Sequence, residues 1–279
     1  MQIAYLGPSG TFTEEAAAHY IGKSRMEAVM KPYSTIEEAI EAVMSGACSE
    51  AVVPIENSIE GAVNITIDKL MFGEAVYIKA LVNLPVRQNL LVPKQSAGHV
   101  PRIEKILSHP QALAQSRRFI LAHYPGAEIV PVNSTAEAAR LAACSGGPLA
   151  AIGTERTAGL YGLDILHRDV QESQTNTTSF VVLTKTETTI PMPGCVTSVV
   201  FSTRNEPGAL YKILDLLAIW DLNLTKIVSR PLKNKPGEYA FLVDIEGYAD
   251  ARDVQDALTM MQRKASLYRN LGTYPVISV

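Results

Sequence analysis

Two polar clusters at the ends of apolar runs are the residues best placed to do chemistry. Val53-Pro54-Ile55 leads into Glu56-Asn57-Ser58. A buried strand over 51–55 would deliver those side chains at its carboxyl end, where open α/β sheets bind ligands. The second cluster, Gln174-Thr175-Asn176-Thr177-Thr178-Ser179, leads into a strand starting at Phe180 and offers hydroxyls and amides without charge. Capping boxes of the form S/T-x-x-E/Q recur around them: Thr11–Glu14 after Gly7-Pro8-Ser9-Gly10, Ser34–Glu37, Ser108–Gln111 and Ser134–Glu137. Asn57 is placed to cap a helix that follows Ile59. Each helix start presents unpaired N–H groups and the positive end of a dipole. Several converging on one cleft would hold a small dianion without any lysine.

Composition makes that local holding necessary. The chain has 279 residues, 25 basic against 28 acidic, for a formal charge of −3. Bulk charge therefore neither captures an acidic substrate nor provides the basic surface nucleic acids need. Hydrophobic residues at 47% and charged residues at 19% indicate an ordered globular chain of about two domains. Cys48, Cys144 and Cys195 lie far apart without CxxC spacing, so no disulfide framework is expected. His19, His99, His109, His123 and His167 show no metal-binding pairing, so no metal is expected either. No apolar run approaches a membrane span, and MQIAYLGPSG reads as a strand and turn rather than a signal peptide. The expectation is a cytoplasmic protein with no membrane or nucleic-acid partner.

The elements that must position these residues alternate. Strands are expected at 3–6, 51–55, 76–82, 88–92, 128–132, 149–152 and 180–184. Helices are expected at 12–20, 36–44, 60–71, 111–123 and 135–144. This is an α/β domain with a largely parallel sheet over 1–184. The Thr- and Pro-rich stretch 185–194 is the expected linker. From 195 to 279 the order strand, helix, strand, strand, helix, strand predicts a ferredoxin-like βαββαβ unit. Such a unit leaves one sheet face open, so pairing with another copy is expected.

Together these motifs resemble a family. GPSGTF at 7–12, VPIENSIEGAV at 53–63, SHPQALAQ at 108–115, NSTAEAA at 133–139 and AAIGTERTAGLYGL at 150–163 resemble prephenate dehydratase, as does the N-x-T-x-F pattern of Asn176, Thr178 and Phe180. Residues 195–279 look like the ACT regulatory domain of that family, with NEPGAL at 205–210 and an SRP triplet at 229–231. The resemblance implies a bilobed, periplasmic-binding-protein-like catalytic domain over 1–184, with the second lobe inserted at about 80–155. It implies decarboxylative dehydration of prephenate to phenylpyruvate in phenylalanine synthesis, without metal or organic cofactor. Thr178 would be catalytic. Thr11, Glu56, Asn57, Ser58, Ser134, Asn176, Thr177, Ser179 and Phe180 would bind substrate.

Phenylalanine would bind as feedback inhibitor between ACT domains of a homodimer or homotetramer, on Asn205, Pro207, Gly208, Ala209, Leu210, Ser229, Arg230 and Pro231. The side chain of Asn205 would cap the helix entered through Pro207. Two departures stand out. Ser179 replaces an arginine of the family's Thr-Arg-Phe motif, with Arg156 as a candidate substitute, and Val228 replaces the glutamate before the SRP triplet. No chorismate mutase segment precedes residue 1, which predicts a chain with the dehydratase activity alone. The same scaffold leaves open an arogenate dehydratase, a non-aromatising prephenate decarboxylase, or an amino-acid sensor without turnover.

Overall fold

The computed structural model describes residues 1–94, 102–145, 148–187, 194–232, 235, 237–248 and 251–279. His99 and residues 188–193 of the expected linker lie outside them. The first lobe opens with β1 (Gln2–Leu6), α1 (Phe12–Ser24), β2 (Val29–Tyr33), α2 (Ile36–Met44), β3 (Glu50–Asn57), β4 (Gly61–Ala62), α3 (Asn64–Phe72) and β5 (Tyr77–Pro85). The chain then crosses to a second lobe: β6 (Asn89–Pro93), β7 (Lys105–Ser108), α4 (Pro110–Gln115), α5 (Arg117–His123), β8 (Glu128–Pro131), α6 (Thr135–Ser145), β9 (Leu149–Gly153), α7 (Glu155–Tyr161) and β10 (Leu163–His167). It returns through β11 (Thr177–Thr184). The C-terminal unit is β12 (Cys195–Ser202), α8 (Ala209–Ile219), β13 (Leu224–Pro231), β14 (Tyr239–Glu246), α9 (Arg252–Lys264) and β15 (Leu267–Ser278).

Local sequence accounts for most of these elements. In α2, Ile36, Ala39, Ile40 and Val43 recur at helical spacing and are all buried. β5 alternates half-buried and buried residues along its whole length, the period of a strand. The capping boxes needed correction in three places. Ser34-Thr35-Ile36-Glu37-Glu38 holds two overlapping boxes. The used one starts at Thr35, which accepts from the Glu38 N–H at 3.1 Å while the Glu38 carboxylate accepts from the Ser34 N–H at 3.0 Å. His109 Nδ1, not Ser108, caps α4, because the Ser108 hydroxyl is buried and donates to the Ile152 carbonyl at 2.7 Å. Asn57 caps no helix: its Oδ1 accepts from the Ile59 and Glu60 N–H groups in a tight turn, and α3 begins only at Asn64.

The sheets are mixed rather than largely parallel. One sheet runs β13-β14-β12-β15-β5-β11-β3-β1-β2, and the other runs β10-β6-β9-β7-β8. β5 leaves the first lobe and β11 re-enters beside it, so the two neighbours must be antiparallel. The same reasoning corrects the insertion at about 80–155. β5 belongs to the first sheet, and β10 pairs antiparallel with β6 in the second. The crossings therefore fall near 86–88 and 168–176, where Val86 N–H donates to the Asn176 carbonyl and Val170 N–H to the Gln88 carbonyl. Partners so distant in sequence leave no mark on composition.

The C-terminal unit has the expected βαββαβ order, but its second sheet face is not open. On one face Val199, Phe201, Val243 and Ile245 pack under α8 and α9. On the other, Val196, Val200, Ala240, Leu242 and Tyr274 share a core with Ile55, Ile67 and Leu70 of the first lobe. Burying both faces removes more apolar surface from water than exposing one. The end of β15 continues this joint, pairing parallel with β5 from Val276 to Ser278.

Candidate active site

A cleft of about 440 Å³ lies between the lobes, a size suited to a small molecule. The first lobe contributes Thr11, Asn57, Thr178 and Phe180, and the second contributes Gln111 and Ser134. No lysine or arginine is among the described residues lining it. Four helix starts face it: α1 through Thr11, Phe12 and Thr13, α6 through Ser134 and Thr135, α4 through His109 and Gln111, and α3 through Val63. Ser134 Oγ accepts from the Glu137 N–H at 3.0 Å, and Thr11 Oγ1 accepts from the Glu14 N–H at 3.4 Å. The earlier N–H groups of each first turn have no intrahelical acceptor.

The centre of the site is a small network built where β3 and β11 pair, with Thr178 opposite Asn57. Asn57 Nδ2 donates to Thr178 Oγ1 at 2.9 Å and to Asn176 Oδ1 at 2.9 Å. Thr178 therefore accepts from Asn57 and keeps its own hydroxyl hydrogen for the cleft. Asn176 is buried and Ser58 donates to it at 3.4 Å, while the Ser58 hydroxyl also accepts from the Thr177 N–H at 3.0 Å. These three residues brace the loop behind Asn57 and do not line the cleft.

Of the residues singled out from sequence, Thr11, Asn57, Ser134, Thr178 and Phe180 line the cleft, whereas Glu56, Ser58, Asn176, Thr177 and Ser179 do not. Strand alternation is the reason for two of these exceptions. Phe180 lies on the sheet face packed by α1, while Val181 and Ile55 lie on the opposite face, toward the C-terminal unit. Ser179 shares that opposite face: it pairs in register with Glu56 and donates to Asn83 Oδ1 at 2.8 Å. Glu56 forms an ion pair with Lys226 of β13. Arg156 is no substitute cation in the cleft, because both its Nε and Nη2 are bonded to Glu14.

Sequence reasoning missed Gln88, Gln115 and the side chain of His109 as cleft residues. Gln88 Oε1 and Gln115 Nε2 are buried without a partner, a costly state for a polar group that nothing in local sequence announces.

The same alternation divides the second of the two segments proposed for an effector. In β13, Lys226, Val228 and Arg230 are half-buried toward the first lobe, and Ile227, Ser229 and Pro231 are exposed. Arg230 donates to Asp68 Oδ1 at 3.1 Å and also bonds to Asn64, both on α3. It therefore leaves Ser229 and Pro231 to the outer surface. The turn from Asn205 to Leu210 is exposed through Gly208, which starts α8 at a φ of 74°. The Asn205 side chain does not cap that helix.

Among the described residues no group of three or more His, Cys, Asp or Glu is placed to hold a metal, and no helix is long and apolar enough to cross a membrane. Residues 3–188 match the prephenate dehydratase family model. The chain is 36% identical to prephenate dehydratase from Lactococcus lactis subsp. cremoris, covering 100% of this chain and 99% of that one. It superposes on a prephenate dehydratase from Arthrobacter aurescens, solved in complex with L-Phe, with a TM-score of 0.87 and 33% identity over 99% of this chain and 90% of the other. It also superposes on GqqA, described as a novel type of quorum quenching acylase, with a TM-score of 0.86 and 30% identity over 99% and 98%. The family-model match over residues 3–188 and the full-length agreement with these two prephenate dehydratases decide the assignment: the chain belongs to the prephenate dehydratase family.

Proposed function

We propose that the chain converts prephenate to phenylpyruvate in the cleft, with Thr178 assisting departure of the ring hydroxyl. The observation that carries this reading is the hydrogen bond from Asn57 Nδ2 to Thr178 Oγ1 at 2.9 Å, which leaves the threonine hydrogen free to donate. In the reaction the ring carbon to carboxylate bond breaks and its electron pair enters the ring. The carbon to hydroxyl bond breaks on the opposite side, hydroxide leaves, and carbon dioxide is released. The dianion becomes a monoanion plus hydroxide, so charge is conserved. A preorganised donor at the leaving oxygen meets charge where it develops. The gain in aromaticity drives the rest.

Neutral groups hold the carboxylates in this reading. The starts of α1 and α6 supply backbone donors and Ser134 a hydroxyl donor, while the Thr11 hydroxyl donates to the Leu6 carbonyl at 3.1 Å and fixes the start of α1. The reading requires neither metal nor organic cofactor. Residues 1–184 form the catalytic part, 185–194 the linker and 195–279 an ACT domain that takes phenylalanine as feedback inhibitor. Supporting that, a relative of 33% identity was solved in complex with L-Phe. β13 is the end strand of its sheet and carries the exposed Ile227, and there a second copy would complete a homodimer or homotetramer. In this reading the chain works in the cytoplasm.

The test is incubation with prephenate and, separately, arogenate, followed by product identification. Phenylpyruvate from prephenate at neutral pH is the expected product. Turnover of arogenate alone would reassign the substrate, and a non-aromatic product would reassign the reaction. Loss of the reading follows if neither compound is consumed while phenylalanine still binds.

A further inference from the structure

Arg156 has a use that neither the catalytic network nor the effector site absorbs. It sits at the start of α7 in the second lobe, yet its Nε and Nη2 donate to both Glu14 oxygens in α1 of the first lobe, at 3.1 and 3.0 Å. Glu14 is 8% exposed, and its Oε2 also accepts from the Gly10 N–H at 2.6 Å. Next to Arg156, Thr157 Oγ1 donates to the Gly10 carbonyl at 2.6 Å. Thr154 completes the donor chain by bonding to Thr157 Oγ1 at 2.7 Å while accepting from the Thr157 N–H at 3.0 Å. Gly10, Glu14, Arg156 and Thr157 thus close a ring of hydrogen bonds across the two lobes.

The ring lies where it can set the cleft's spacing. Gly10 directly precedes Thr11, the cap of α1, and has a φ of +90°. A Cβ added to it would stand 3.4 Å from the Ala136 Cβ of α6 and 3.3 Å from the Leu160 side chain of α7. The start of α1 is therefore pressed against the first turn of α6, and both of these helix starts face the cleft. Burial pushes the Glu14 carboxyl up, but the Arg156 guanidinium and the Gly10 N–H outweigh it and hold it below the ordinary range. The pair is thus ionised at neutral pH, and a planar guanidinium fixes direction as well as distance.

We infer that Arg156 and Glu14 are positioning residues for the substrate: they hold the start of α1 at the distance from the start of α6 that a dicarboxylate spans. This rests on the proposed prephenate reaction. Neither side chain need touch the substrate. Loosening the pair should weaken a ligand with two carboxylates more than one with a single carboxylate.

Steady-state kinetics on the full chain test it with prephenate as substrate and phenylpyruvate as product inhibitor. Arg156→Ala and Glu14→Gln should raise KM for prephenate about tenfold with kcat within about threefold, the scale of a lost charge-assisted bond. The inhibition constant of phenylpyruvate should rise less than about threefold. Arg156→Lys keeps the charge but loses the two-point contact and should raise KM at least about threefold. An unchanged KM in folded Arg156→Ala, or equal rises for both ligands, overturns the inference. If the alanine variant does not fold, the lysine variant decides, and any rise below threefold overturns it. Wild-type chain that consumes no prephenate would instead remove the reading beneath it.

Discussion

The cleft and the joint beneath it use opposite chemistry. Along the cleft, no described lining residue is a lysine or arginine, and Thr11, Asn57, Ser134 and Thr178 present neutral dipoles. Along the joint, Lys226 pairs with Glu56, Arg230 with Asp68, and Arg269 donates to the carbonyls of Gly73, Glu74 and Val76. A cation is useful where its partner is fixed and permanent. In the cleft the partner must arrive and leave, and fixed dipoles require little reorganisation as charge moves during reaction. The difference teaches that, among the described residues, these cations hold parts of the chain together, while hydroxyls, amides and helix starts line the cleft.

The sharpest way to break that contrast is to remove the cleft's central donor. Thr178→Val keeps the shape of the side chain and should lower kcat by about 10²–10³, the usual effect of losing one charge-stabilising donor. KM should stay within about threefold, read from initial rates of phenylpyruvate formation. A kcat within tenfold of wild type would remove Thr178 from the chemistry.

The joint should answer differently. Arg230 stands between Ser229 and Pro231 of the proposed effector site, yet its guanidinium holds α3, which follows the cleft residues Gly61, Ala62 and Val63. Arg230→Ala should raise the phenylalanine concentration for half-inhibition at least about fivefold, the lower end of ordinary coupling energies. Activity without phenylalanine should remain within about twofold. Equal sensitivity to phenylalanine would show that β13 does not transmit the signal.

The smallest effect is expected from Ser179→Arg, which restores the arginine of the family motif. Because Ser179 faces Asn83 and Glu56 rather than the cleft, KM for prephenate should change less than about twofold. A tenfold fall in KM would mean the position reaches substrate after all, and the contrast between cleft and joint would lose its boundary.

Particular residues mark how far the sequence could be read. The periodic apolar positions of α2 and the alternation in β5 made those elements legible, as local spacing alone selects which face is buried. Asn57 was legible as a cleft-lining residue from its place in a polar run at a strand end, and Thr178 from its resemblance to a family motif. Ser179 and Asn176 were not separable from them, since neighbours in one polar run differ only in which way the strand turns them. Gln88 and Gln115 carried no local signal, for their significance is that folding buries them beside a cavity.

By itself the sequence determined most of the kinds of element, the hydroxyl- and amide-rich motifs that line the cleft, and the family, because these depend on residue type, period and order. Tertiary structure decided which lobe β5 and β10 join, which face Ser179 and Arg230 take, and that Arg156 reaches across to Glu14. Those outcomes depend on pairing between segments as far apart as residues 14 and 156, where register and packing against a third element choose among partners that local chemistry leaves equivalent.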